Sequence, residues 1–307
     1  MLPPSGDQYE IGGSGYRAVI AQCGATLRAL EHDGVALLDG FAADEIAPGA
    51  RGQLLAPWPN RIGDGRFELG GEVHQVPIDE PEHHNALHGL VRWASWTVED
   101  HRAQSVTLTH RLMARPGYPW TLDLSVTYEV STDGLRVTQS ATNRAATPAP
   151  YASGAHPYLT VGLGPVDGWE LALPAATHQL ADDRLLPAGT EPVAGTAYDF
   201  RIARLIGAVG FDDGFTDLER DADGVATVTL TDPDTGRGVM LWVDGRHRWL
   251  QVFSADDVPG TARRSLAVEP MTAPPDAFRT GTDLATLAPA GQTGDTLTAS
   301  WGIRSRL

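Results

Sequence analysis

Apolar and polar residues alternate with a period of two along much of the chain. Leu122, Leu124, Val126, Tyr128 and Val130 interleave with Asp123, Ser125, Thr127 and Glu129. Val106, Leu108 and Leu112 interleave with Thr107, Thr109 and Arg111, and Val228 and Leu230 with Thr227, Thr229 and Thr231. Successive side chains of a strand point to opposite faces, so each segment predicts a β-strand with one buried and one wet face. Turn-forming pairs separate such runs: Asp33-Gly34, Asp64-Gly65, Gly70-Gly71, Asp133-Gly134, Asp223-Gly224 and Asp244-Gly245. These favour tight hairpins. Ala197 to Ala208 is the one stretch with a helical pattern, and a short one. No repeat of solenoid length is visible. Thr147-Pro148-Ala149-Pro150 is too short to act as a linker. The pattern predicts an all-β fold, one large antiparallel β-sandwich over residues 1–307, with long loops carrying the chemistry.

One strand ends in an unusual way. The apolar run Leu266-Ala267-Val268 leads into Glu269 and then Pro270. Proline cannot donate to a sheet ladder, so pairing is expected to stop there. A carboxylate at the mouth of an apolar strand is costly unless it is paired, hydrogen-bonded or turned to solvent. This stretch alone leaves a surface Glu and a functional Glu both open.

Composition narrows the function classes. A chain of 307 residues buries a large core, and 34 Gly with 22 Pro mean many turns. The formal net charge of -16 argues against nucleic acid and anionic membrane as partners. The single cysteine, Cys23, rules out an internal disulfide and fits a reducing compartment. Residues 1–13 lack the basic and apolar regions of a signal peptide, and no apolar run reaches membrane-spanning length. A cytoplasmic location is expected.

Four further stretches carry candidate chemistry. Asn60 and Arg61 sit together in the Pro-rich segment Ala56–Gly63, where an Arg can either hydrogen-bond ligand hydroxyls or simply flank a turn. His83, His84 and His88 invite a metal reading, but Gly89 and the lack of helical periodicity argue against one helix face, and no Cys cluster or HExxH pattern supports zinc. His156 lies among small and apolar residues in Ser153–Leu159; it is either a core histidine bonded to backbone or a general acid titrating near ~6.5. Ser153 is not in a nucleophile elbow, and Gly162-Leu163-Gly164 lacks dinucleotide spacing. Asp212-Asp213-Gly214 reads as a turn or as a ligand loop. Trp249, Gln251 and Phe253 share one strand face, and an amide between aromatics suits a hydroxylated ring. Trp58, Trp93 and Trp120 are expected in the core.

Taken together and in this order, these stretches resemble the aldose 1-epimerase (galactose mutarotase) family. The matching segments are Asn60-Arg61-Ile62, Asn85-Ala86-Leu87-His88-Gly89, His156-Pro157-Tyr158, Phe211-Asp212, Leu250-Gln251-Val252 and Val268-Glu269-Pro270 with Pro275-Asp276-Ala277. The resemblance runs from about Tyr16 to Trp301. Three positions depart from the family pattern: Leu90 replaces a second Gly, Leu159-Thr160-Val161 follow Tyr158, and Met271 stands where a Gln often follows the Glu. These leave the acid and base intact and bear on which sugar fits.

The resemblance implies a mutarotase-like supersandwich that interconverts the α and β anomers of a free hexose such as glucose or galactose. Glu269 is implied as base and His156 as acid, with Asn60, Arg61, His88, Asp212 and Gln251 holding the hydroxyls. Neither metal nor other cofactor is implied, and the ligand is a monosaccharide, bound by a monomer or homodimer. Two alternatives stay open. A hexose-6-phosphate epimerase shares the fold and the Glu/His pair but needs a phosphate clamp, for which Arg61, Arg92 and Arg144 are the candidates. A non-catalytic sugar-binding module shares only the sandwich.

Overall fold

The computed structural model describes residues 2–306 apart from 257 and 259. It is built of antiparallel sheets. A nine-stranded sheet takes in Thr97–His101, Ser105–Leu112, Leu122–Ser131, Gly134–Asn143, Thr296–Arg306, Gly238–Val243, Ala226–Thr231, Glu170–Ala172 and Arg204–Leu205 in that spatial order. An eight-stranded sheet runs Pro187–Pro192, Ala175–Ala181, Asp212–Leu218, Trp249–Phe253, Leu266–Met271, Gly154–Ala155 and Leu54–Leu55, with Tyr158–Leu159 also paired to Leu266–Met271. A smaller four-stranded sheet covers the N-terminal residues, from Gln8 to Ala36.

The period-two pattern is realised as expected. Leu122, Leu124, Val126, Tyr128 and Val130 are all buried, as are Val106, Leu108, Leu112, Val228 and Leu230. The polar residues between them pair across strands on the opposite face, as in Thr107 with Thr127 and Thr138 with Ser300. One hydrophobic cluster includes residues of all three sheets, among them Ile20, Leu124, Val137, Leu250, Val268 and Ile303. Side chains alternate across a strand, so Leu250, Val252, Leu266 and Val268 feed this core while Gln251 and Glu269 face the other way.

Two local expectations fail. Residues 197–208 form turns and the edge strand Arg204–Leu205, not a helix. Buried Phe200 and Ile206 anchor the stretch to the core, and the Arg204 guanidinium binds the carbonyl of Asp199 and rests on the Phe200 ring. Among the described residues the lone α-helix is Ala277–Thr280, and no helix is long and apolar enough to cross a membrane. Pairing also does not stop at Glu269. The strand continues through Pro270, opposite Leu250, to Met271, opposite Trp249. The N–H groups of Val268 and Thr272 point to the carbonyls of Pro157 and Ser153. The donor that Pro270 lacks therefore falls at the break in that neighbour, where the His156 N–H turns away to the Gln53 carbonyl. A proline in a central strand is tolerated because nothing opposite it needs a donor.

Candidate active site

Glu269 leaves the middle of a strand buried along its whole length, on the face away from the core. Its direct partner across the sheet is Gln251, whose own partner on the next strand is Gly214. His156 reaches the same place from the break between Gly154–Ala155 and Tyr158–Leu159. The backbone there is pinned, His156 N–H to the Gln53 carbonyl and Gly52 N–H to the His156 carbonyl. The result is a contact: His156 Nε2 lies 3.3 Å from Glu269 Oε1. Both side chains are almost fully enclosed, at 6% and 2% exposure.

Burial governs the titration of both. It pushes the His156 imidazole down to about 3, helped by the positive charges of Arg51, Arg92 and Arg61. It drives the Glu269 carboxyl well above the usual range, and the Asp212 carboxylate adds to the rise. Removing a charge from water is the dominant cost in each case. Glu269 Oε2 and His156 Nδ1 have no hydrogen-bond partner. The pair by itself thus favours a neutral carboxyl beside a neutral imidazole. The imidazole ring is held by aromatic neighbours: it stacks on Tyr158, with centroids 4.9 Å apart, and meets His88 edge-on at 5.4 Å.

The Asn-Arg and His-Gly segments assemble on each other. Arg61–Gly63 pairs with Asn85–Leu87, so Arg61 lies opposite Leu87. The His88 N–H donates to the Asn60 carbonyl, and the Asn60 N–H donates to His88 Nδ1 at 3.2 Å. Burial holds His88 neutral. With Nδ1 accepting, its one proton is on Nε2, which makes His88 a hydrogen-bond donor. Gly89 allows this placement: at φ +76°, a Cβ there would sit 2.1 Å from the Ala56 carbonyl oxygen. Asp276 clasps the arrangement from the far end of the chain. Its N–H binds the Arg61 carbonyl and its Oδ1 accepts from the Gly63 N–H.

Asp212 and Asp213 are strand residues, not turn residues; both border the cavity, but alternation gives them different partners. Asp212 accepts from Gln251 Nε2 at 2.8 Å and lies 3.7 Å from Arg61 Nη2, while burial raises its carboxyl. Asp213 instead accepts from His178 Nε2 at 2.8 Å.

Glu269, His156, Asn60, Arg61, His88 and Asp212 all line one cavity of about 1220 Å³. That exceeds the roughly 300–1,000 Å³ of a typical small-molecule pocket and leaves a hexose ample room. Gln251, the seventh predicted residue, is placed differently: it is buried, it is not part of the cavity wall, and its amide holds Asp212 from behind.

Of the wall residues, Glu80 and Arg51 carried no usable signal in the sequence. Glu80 receives three contacts from the Arg61 guanidinium, at 3.0 to 3.1 Å. Arg51 is held by Asp39, and Arg92 by Asp79. Trp93, expected in the core, is half exposed in the cavity wall, whereas Trp58 and Trp120 are buried. Arg144 is bound to Asp123 and has no place in the cavity. His84 pairs with Asp64.

Residues 7–299 match the family model described as aldose 1-epimerase. The chain belongs to the aldose 1-epimerase family. The uncharacterized protein YihR of Escherichia coli K12 is 35% identical over 281 residues, covering 91% of this chain and 88% of YihR. Among solved structures, the GalM/aldose epimerase homologue from C. elegans superimposes with a TM-score of 0.86 at 20% identity, covering 98% of both chains. Galactose 1-epimerase from Lactobacillus acidophilus NCFM gives a TM-score of 0.80 at 20% identity, over 96% of this chain and 93% of that one. These likenesses of aldose 1-epimerase relatives establish the galactose mutarotase-like fold, and family membership points to a sugar as the small-molecule ligand.

Proposed function

We propose that this member of the family is a mutarotase that interconverts the anomers of a free hexose such as glucose or galactose. The observation that carries the reading is the 3.3 Å contact between His156 Nε2 and Glu269 Oε1 on the wall of a cavity with room for a hexose. Mutarotation moves two protons, one off the C1 hydroxyl and one onto the ring oxygen. Both oxygens are bonded to C1, so they are neighbours. An acid and a base that touch each other suit that spacing, whereas two groups separated by the width of a pyranose do not.

The pair holds one proton in either of two arrangements, carboxylate with imidazolium or carboxyl with neutral imidazole. Beside a cyclic sugar, Glu269 carboxylate takes the C1 hydroxyl proton while the His156 imidazolium gives its proton to the ring oxygen. The C1–O5 bond breaks and C1 becomes an aldehyde. The pair is then carboxyl and neutral imidazole. Rotation about C1–C2 presents the other face. Closure returns the O5 proton to His156 and the Glu269 proton to the new C1 hydroxyl, so each group works as acid in one direction and base in the other. Burial favours the neutral arrangement, which is the one that accompanies the open chain. The charged arrangement gains Coulombic attraction and hydrogen bonds from the sugar. The enclosed site therefore brings the two arrangements closer in energy than water would.

Arg61, His88 Nε2–H and Asp212 supply donors and an acceptor for hydroxyls, Asn60 holds the His88 ring, and Gln251 acts through Asp212. Positioning of this kind is a large share of rate enhancement. A phosphorylated hexose is disfavoured because Arg51, Arg61 and Arg92 are each already engaged by a carboxylate. Anomer exchange followed by polarimetry or NMR over free and 6-phosphorylated glucose and galactose tests the proposal. Faster exchange of the free sugars supports it, and exchange of the phosphates alone refutes it.

A further inference from the structure

The Tyr158 ring that supports His156 carries a second group. The Arg51 guanidinium carbon lies 4.2 Å from the centre of that ring. Arg51 is 3% exposed, its Nε has no hydrogen-bond partner, and its Nη1 and Nη2 bind the Pro48 carbonyl and Asp39 Oδ2. Asp39 also accepts from Ser265 Oγ and Arg264, and Ser265 immediately precedes the strand that carries Glu269. The Tyr158 hydroxyl donates to the Gly49 carbonyl, which fixes the ring from its far end. A buried arginine anchored to one acceptor on each of two nitrogens, with an aromatic face beneath it, is an expensive arrangement for structure alone.

We propose that Arg51 is a positioning residue for His156, acting through the Tyr158 ring. This rests on the mutarotase reading above. Arg51 and Asp39 set the plane of Tyr158, and Tyr158 sets the plane of the imidazole so that Nε2 stays against Glu269. The guanidinium has a second effect. A fixed positive charge nearby makes an imidazolium less stable, so His156 gives up its proton more readily to a ring oxygen, a weak base. The other charged or titratable groups around His156 are Glu269 in contact, His88 edge-on, Tyr158, and the more distant Arg61 and Arg92. Arg61 and Arg92 are turned to Glu80 and Asp79, whereas Arg51 alone of the three rests on the Tyr158 ring.

The test compares wild type with Arg51→Met, which keeps the length and removes the charge, and Arg51→Lys, which restores it. The pH midpoint of the ¹⁵N shifts of the His156 ring, assigned by their loss in His156→Asn, reports the proton without needing turnover. Arg51→Met is expected to raise that midpoint above about 3 and to lower kcat roughly tenfold with little change in KM, a fraction of the ~10²-fold that a 1 Å misplacement costs. Arg51→Lys is expected to recover most of both. Asp39→Asn, which leaves the Arg51 charge without its counter-ion, is expected to move the midpoint the opposite way, further down, and serves if Arg51→Met does not fold. An unchanged His156 midpoint in Arg51→Met, or in Asp39→Asn where that variant stands in, overturns the proposal. So does a loss that Lys fails to restore. A wild-type protein that exchanges no anomers refutes the mutarotase reading, while the ¹⁵N shifts still decide whether Arg51 controls His156.

Discussion

Glu269→Gln keeps the volume of the side chain and removes its capacity to exchange a proton. The side chain is 2% exposed, in contact with His156, with one oxygen lacking any donor. The effect on rate follows from the shared proton: without a carboxyl, His156 has no partner to complete either half of the exchange. Loss of one acid–base group costs about 10²–10⁴-fold, and the expected fall in kcat is about 10³-fold or more. The effect on stability has the opposite sign. Burial raises the Glu269 carboxyl in the folded protein above its ordinary 4.5. The folded state then holds the proton more tightly than the unfolded one, so wild-type stability is fully present below the unfolded value. It is lost as pH rises toward the folded value, at about 1.4 kcal/mol for each pH unit that separates the two. Gln does not titrate. Urea unfolding at about pH 5 and about pH 9 should therefore show the Gln variant gaining on wild type as pH rises. Polarimetry on α-glucose and α-galactose reads the rate. Activity within tenfold of wild type would remove Glu269 from the mechanism. A stability difference that does not change with pH would mean that the carboxylate is not desolvated as the geometry requires.

Asp212→Asn is expected to lower kcat/KM by roughly 10²-fold through misplaced hydroxyls, and Asp213→Asn to stay within a few-fold because its carboxylate serves His178. Equal losses in steady-state kinetics would refute this division of roles. Gly89→Ala forces a Cβ to within 2.1 Å of the Ala56 carbonyl at a left-handed φ. A stability loss of about 2–4 kcal/mol is expected in urea unfolding, with KM raised as His88 is displaced. A variant as stable as wild type would show that this loop is not constrained.

The sheets were legible because a half-buried strand writes its two faces directly into the chain, as Leu122–Ser131 does. The tight turns were legible for a similar local reason. Asp64-Gly65 and Gly70-Gly71 have positive φ, which these residue types tolerate. Residues 197–208 misled because an apolar period near that of a helix also arises when Phe200 and Ile206 merely anchor a loop. Pro270 misled because its cost depends on what lies opposite, and that is set by a break far earlier in the chain, at His156. The wall residues Glu80 and Arg51 have no local signature at all, and the Pro275-Asp276-Ala277 segment does not say what Asp276 touches. Asp276 reaches Gly63 across 213 positions, and only the folded sheet brings them together.

A carboxylate in the middle of a buried strand would normally be a fault in the fold. Here the register turns it into a usable proton site. Alternation places Glu269 on the cavity face between two buried residues, Val268 and Pro270, so its backbone cannot shift without disturbing the core. Gln251 directly opposite donates its amide to Asp212, and Glu269 Oε2 is left without a donor. That absence matters, because a donated hydrogen bond would stabilise the anion and lower the carboxyl's affinity for the proton. On the other side, three arginines near His156 each face a carboxylate of their own, so none of them is an unpaired cation that would trap an anionic ligand. The same burial that raises the carboxyl and lowers the imidazole leaves one proton between two groups in contact. An uncharged sugar that needs that proton moved from one oxygen to its neighbour is the ligand such a site can turn over.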